Sequence, residues 1–243
     1  MNEIALVTGA NKGIGFEITR VLAKSGMDVL LGARNRERGL KAVSDLKKEG
    51  LDVELLEIDV SKSESIARAV SELQEKYDRL DVLVNNAGIL HREEGLGSSK
   101  VLGVATSILR ETFETNFFGL VDLTQRLVPL LKKSENGRIV NVSSILGSLD
   151  LAIEREAEGP SGTPFAYNAS QAAVNAFTIH LAGALRADGI RVNSAHPGWV
   201  KTDMGTDAAT LSIEEGAQTI VDLVLNDKES NSRFIHLGEE LPW

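Results

Sequence analysis

The densest group of chemistry-bearing residues lies early in the chain. Thr8-Gly9-Ala10-Asn11-Lys12-Gly13-Ile14-Gly15 follows a short apolar run and opens an amphipathic stretch. Small residues between a strand and a helix permit a tight turn, and they let backbone N–H groups approach a diphosphate at the helix N-terminus. The spacing is G-x-x-x-G-x-G rather than the common dinucleotide fingerprint G-x-G-x-x-G. A glycine-rich turn without a ligand is the competing reading. The second apolar run ends in Gly32-Ala33-Arg34-Asn35-Arg36, with no acid. A site for a free ribose 2′-hydroxyl carries a carboxylate at that place, whereas an arginine there accommodates a 2′-phosphate. Arg34, with Lys12 reaching from the glycine loop, fits the phosphate through charge-assisted hydrogen bonds. The expected cofactor is therefore NADP(H). Solvated surface cations are the bland alternative for both residues. Arg36 and Arg38 are read as solvent-face residues of the next helix.

These residues need a scaffold. Candidate strands are 4–8, 28–33, 53–59, 80–85, 138–143, 191–195 and 233–237, with interiors made mostly of Val, Ile and Leu. Such runs suit strands buried on both faces of a parallel sheet. Helical patterns lie near 14–25, 36–49, 63–77, 107–132, 166–188 and 213–226. This alternation predicts an α/β fold, a single-domain Rossmann-type doubly wound parallel sheet of about seven strands with helices on both faces. One domain over 1–243 is expected, with excursions near 91–106 and 145–164, the second with room for one short helix. Loops at the carboxyl ends of parallel strands are where such sheets place ligands.

Composition narrows the function. The formal net charge is −9, with 35 acidic against 26 basic residues. A nucleic-acid binder should carry a broad basic face, so neither nucleic acid nor an anionic membrane surface is an expected partner. The absence of cysteine removes disulfides, thiol catalysis and zinc–cysteine sites. The four histidines His91, His180, His196 and His236 are scattered, so no metal is expected. His196 is read as structural. No apolar stretch is long enough to cross a bilayer, and Met1-Asn2-Glu3 leads straight into the first strand, so a cytoplasmic protein is expected.

The motifs resemble, in order and over nearly the whole chain, those of the short-chain dehydrogenase/reductase family. TGxxxGIG is followed by Asn85-Asn86-Ala87-Gly88, Asn116, Ser143, Tyr167 and His196-Pro197-Gly198. The Asn11-Lys12 pair and Trp243 are similar to the NADPH-dependent carbonyl reductase branch. The resemblance implies that Tyr167 gives a proton to a carbonyl oxygen, that Ser143 hydrogen-bonds that oxygen, and that Asn116 holds a water in a proton relay. Ser144 stands beside Ser143 and is easily confused with it. The implied cofactor contacts are Gly9, Asn11, Lys12, Gly13, Ile14, Gly15, Arg34, Asp59, Val60, Asn85, Ala87, Gly88, Tyr167, Gln171, Pro197, Gly198, Val200 and Thr202. Asp59 also reads as part of an ordinary turn, with Ser61 or Ser63 as a helix cap. Trp199, Ile145, Leu146, Met204 and the 145–164 loop read equally as substrate pocket or as packing.

One position departs from the family. Its motif is Tyr-x-x-x-Lys, and this chain has Tyr167-Asn168-Ala169-Ser170-Gln171. Residues four apart on a helix share a face. The family lysine binds the nicotinamide ribose and lowers the tyrosine pKa by its charge. Gln171 keeps a hydrogen bond and supplies no charge. The expectation is a slow reductase of ketones or aldehydes whose alcohol oxidation is weak and shifted to alkaline pH. Gln171 is open to three accounts: natural and tolerated, natural and marking a non-catalytic descendant, or introduced. The alternative function is an NADP(H)-binding sensor with little turnover. An epimerase or dehydratase ranks last, since the length leaves little room for a larger substrate domain. The 145–164 excursion favours a monomer over a homo-oligomer built on the helices starting near 107 and 166.

Overall fold

In the computed structural model, residues 2–94, 101–157 and 162–243 are described. Strands β1 (Ile4–Val7), β2 (Asp28–Ala33), β3 (Val53–Glu57), β4 (Val82–Asn85), β5 (Arg138–Val142), β6 (Arg191–Ala195), β7 (Phe234–His236) and β8 (Glu239–Glu240) form one sheet in the order β3-β2-β1-β4-β5-β6-β7-β8. The pairs from β3 through β7 are parallel, and β8 pairs antiparallel with β7.

Alternate residues of one strand feed opposite cores, because side chains alternate across a pleat. Ala5 and Val7 join a cluster with Ile18 and Leu22 of α1 (Gly13–Lys24), Leu46 of α2 (Arg36–Lys48) and Ile220 of α8 (Ile213–Leu225). Ile4 and Leu6 join the other cluster, with Ile66 of α3 (Ser63–Lys76), Leu127 of α5 (Gly119–Leu131) and Leu181 of α7 (Phe165–Ala184). Burial on both faces explains why the strands read as near-continuous apolar runs.

Three expectations are corrected here. The eighth strand was not anticipated. Leu237, expected to end the last strand, instead has φ 47, and Gly238 has φ 83. Two consecutive left-handed residues make the two-residue turn that joins β7 to β8. The expected helix over 107–132 is broken into α4 (Thr106–Phe113), a π-helical turn Glu114–Phe118 and α5. The 145–164 excursion carries a 3₁₀ turn at Ile145–Gly147 and α6 (Leu149–Ala157). Trp243 holds the start of α6: its carbonyl oxygen accepts from Leu149 N at 3.0 Å and Ser148 Oγ at 3.2 Å. The remainder of both excursions, 95–100 and 158–161, lies outside the described residues.

Strand order reverses between β1 and β4, whose connections run to opposite sides. The crevice beyond their carboxyl ends is the expected ligand position in such a sheet.

Candidate active site

A cleft of about 710 Å³ opens at that reversal. The glycine loop forms one wall. Gly9 has φ +65, and a Cβ there would stand 2.9 Å from Ala87 Cα, so only glycine lets the loop lie against the segment after β4. Asn86 ties the two together: its Nδ2 donates to Thr8 O at 2.8 Å, and its backbone N–H donates to Thr8 Oγ1 at 3.0 Å. Helix α1 begins in the cleft with Lys12 as N-cap and no side-chain cap bond. Its first N–H groups therefore stay available to an anion.

Of the expected cofactor residues, all but three line the cleft: Asn85, Gly198 and Val200 do not. Asn85 is corrected on clear grounds. It is buried, and its Nδ2 donates to Thr124 Oγ1 at 3.0 Å and Asn141 Oδ1 at 2.8 Å. Asn141 donates onward to Thr178 Oγ1, which also receives Ser194 Oγ. Asn85, Asn141 and Ser194 sit in register on β4, β5 and β6. A row of polar side chains under a helix must satisfy itself, and Asn85 is spent there. Its neighbour Asn86 lines the cleft instead. Val200 is buried and bridges to Leu211.

Asp59 lines the cleft and is also a turn residue, since its Oδ1 accepts from Ser61 Oγ at 2.7 Å and Ser61 N at 3.1 Å. Neither Ser61 nor Ser63 caps α3, whose N-cap is Lys62.

Cations gather at the mouth. Arg34 is exposed and lines the cleft, and Lys12 makes an ion pair with Asp203. Arg36 pairs with Glu57 at 3.5 Å, as a surface residue would. Arg38 is exposed on α2, as expected of a solvent-face residue. The Asp203 carboxyl is held below its ordinary pKa mainly by the Lys12 hydrogen bond, with a lesser coulombic share from Arg38.

At the deep end lie Asn116, Tyr167 and Gln171. The π-helical turn widens the backbone at Asn116, a device frequent at functional sites. Asn116 Oδ1 accepts from Ile89 N at 2.8 Å, while its Nδ2 donates to Ile89 O and Ser170 Oγ, both at 3.0 Å. Both donor hydrogens are engaged, so the oxygen's second lone pair is what remains for a water.

Ser143 lines the cleft, but its hydroxyl is engaged by another residue. Ser143 continues the β5–β6 ladder, with its N–H donating to Ala195 O at 2.8 Å. It is buried, and its hydroxyl donates to Asn175 Oδ1 at 2.7 Å, two turns down α7 from Tyr167. Ser144 is the first residue past the ladder, with an extended backbone (φ −140, ψ 144). It is the Ser144 side chain, together with Gln171, that makes polar contact with the Tyr167 hydroxyl. Only the exact end of the ladder decides which serine turns toward the tyrosine.

Burial holds the Tyr167 hydroxyl above the ordinary tyrosine pKa, and the contacts from Ser144 and Gln171 pull the other way without reversing it. Every group acting on this phenol is neutral. The start of α7 is set from outside. Pro164, its N-cap, offers no side-chain bond, and Glu94 from the loop after β4 accepts the Ala166 N–H at 2.9 Å. A buried carboxylate at a helix N-terminus is favoured by the helix dipole. Sequence spacing gives no sign of this cap, which acts across 72 residues.

Met204 lines the cleft and is partly exposed; Trp199 is partly exposed and does not line the cleft. No described group of His, Asp and Glu side chains could hold a metal ion, and no described helix is long and apolar enough to cross a membrane.

Known proteins resemble this chain in sequence and fold. Residues 3–212 match the family described as short chain dehydrogenase. Carbonyl reductase (NADPH) 1 of Mus musculus is 36% identical over 99% of this chain and 98% of its own length. The NADPH-bound carbonyl reductase from chicken fatty liver superposes with a TM-score of 0.86, at 26% identity, over 100% of this chain and 99% of its own. The carbonyl reductase Sniffer of D. melanogaster gives 0.83 at 31% identity over the whole of both chains. With a family match over most of its length and full-length similarity in sequence and fold, the chain belongs to the short-chain dehydrogenase family.

Proposed function

We propose that this protein reduces the carbonyl group of a ketone or aldehyde with NADPH. The observation that carries the reading is the contact of Tyr167 with Ser144 and Gln171 at the inner end of a cleft that Lys12 and Arg34 also line. The chain's relatives named for NADPH-dependent carbonyl reduction support the cofactor and the reaction class.

The cleft suits the cofactor. The glycine loop presents uncapped N–H groups for the diphosphate, and the cations suit a 2′-phosphate. When bound, NADPH supplies the hydride to the carbonyl carbon. Tyr167 gives its phenolic proton to the carbonyl oxygen, and the Ser144 hydroxyl donates a hydrogen bond to the same oxygen as charge develops there. Gln171 offers its amide to the ribose and holds the phenol. Met204 presents apolar surface to a hydrophobic substituent.

Gln171 sets the pH range. With neutral neighbours and a raised pKa, Tyr167 stays protonated through neutral pH, the form reduction consumes. Alcohol oxidation needs the phenolate and rises toward alkaline pH. The missing cation also favours a second reading, an NADP(H)-binding sensor with little turnover.

NADPH consumption across a panel of ketones and aldehydes tests both. Turnover abolished by Tyr167→Phe and strongly reduced, though measurable, in Ser144→Ala, but tolerant of Ser143→Ala, supports the reductase. Saturable NADPH binding with no consumption supports the sensor. Tighter binding of NADH than NADPH removes both.

A further inference from the structure

Ser144 makes its contact with Tyr167 from just beyond the end of a strand, where the ladder no longer holds the backbone. Its own turn holds it in part, with Leu146 N donating to its Oγ at 3.2 Å and Gly147 N to its carbonyl at 2.8 Å, and the next peptide meets a histidine that the reduction itself does not use. The N–H of Ile145, the next residue, donates to His196 Nδ1 at 3.3 Å. We propose that His196 is a positioning residue for the proton-transfer pair: its Nδ1 anchors the Ser144–Ile145 peptide and so aims the Ser144 hydroxyl at Tyr167.

The geometry around His196 serves that role. Its N–H donates to Ile235 O at 2.8 Å, which locks it to the end of β7. Its carbonyl oxygen lies 2.8 Å from His236 Nδ1. A carbonyl only accepts, so that His236 nitrogen carries the hydrogen. The two rings stand 4.8 Å apart. An imidazole nitrogen that accepts must be unprotonated, with the ring's hydrogen on the other nitrogen. Burial, and then the neighbouring His236, push the His196 pKa down to about 3, so the acceptor persists throughout the working range. Pro197, which follows directly, lines the cleft. One side chain therefore sets the serine against the segment on the opposite side of the reacting centre.

The inference rests on Ser144 as the functional serine, and the experiment separates the two. In the full-length protein with saturating NADPH, His196→Leu removes the acceptor, and His196→Asn can return one, through Oδ1. Loss of one positioning hydrogen bond corresponds to about a tenfold fall in kcat. The expected result is that fall in the leucine variant, an NADPH Kd within about twofold, and recovery of most of kcat in the asparagine variant. In the Ser144→Ala background, His196→Leu should cost nothing further, because the two act as a unit. Additive losses, an asparagine variant as weak as leucine, or unchanged kcat in the leucine variant would each overturn the proposal. Unchanged kcat in Ser144→Ala alone would overturn the underlying reading as well. If the leucine variant does not fold, His236→Phe carries the test: a fall of about two- to fivefold with NADPH affinity kept is expected, and no change refutes it.

Discussion

Replacing Gln171 by lysine returns a cation to the helical face that carries Tyr167. Side chains four apart on a helix lie about 5–6 Å apart. A unit charge at that distance from a phenolate, with an effective dielectric of about 20, is worth about 3 kcal/mol. At about 1.4 kcal/mol per unit, that is about two pKa units. Gln171 is 6% exposed, so the lysine itself loses hydration and returns part of the gain. A net drop of about one to two units is expected in the Tyr167 pKa. The starting point is high, because burial already favours the neutral phenol. The assay is a pair of pH–rate profiles, ketone reduction and alcohol oxidation, each at saturating cofactor. The alkaline rise of oxidation and the alkaline fall of reduction should both move down by that one to two units. At neutral pH, below either midpoint, reversibility binds the two directions together. A stronger acid is a weaker base, so with Brønsted sensitivity near about one half both directions gain by the same three- to tenfold factor. Midpoints that stay in place while NADPH still binds would refute the electrostatic argument.

Three further outcomes are expected. Lys12→Ala and Arg34→Ala should each weaken NADPH by about 10- to 100-fold, the worth of a charge-assisted bond to phosphate, and leave NADH nearly unchanged; fluorescence titration of both cofactors checks this. Glu94→Ala removes the cap of α7 and should lower the unfolding free energy by about 1–2 kcal/mol, with Glu94→Gln intermediate, as urea midpoints would report. His196 has a folded pKa of about 3 against an ordinary 6.5, so the unfolded chain binds the proton first as pH falls. Its contribution is complete above about pH 6.5 and is lost toward pH 3, at about 1.4 kcal/mol per unit between about pH 4 and 6. Urea unfolding over that range should lose this part of its slope in His196→Asn.

Much of the fold was legible because its signals are local. A strand buried on both faces must be apolar at every position, so seven runs announced themselves through Val, Ile and Leu. The glycine loop was legible for a similar reason, since close backbone approach tolerates no side chain at Gly9. The absence of an acid after Ala33 marked the phosphate site, and Gln171 showed its missing charge by residue type alone. The hairpin to β8 was hidden, because Leu237 gives no compositional hint of a left-handed backbone. The break at Asn116 was hidden too, because a π-turn keeps the same helical residue types.

The sequence by itself determined which chemistries the chain could hold: a crevice for a phosphorylated dinucleotide, a tyrosine acid, and no cation beside it. The tertiary structure alone decided which way each of two adjacent polar residues turns. Asn85 and Asn86 differ only in which way the chain turns past β4, as Ser143 and Ser144 differ past β5. A pleat sends neighbours to opposite sides, and the residue at which pairing stops is set by the facing strand. The same holds for Glu94 on α7 and His196 behind Ile145. These contacts join segments far apart in the chain, and their energies depend on distances that no local pattern contains.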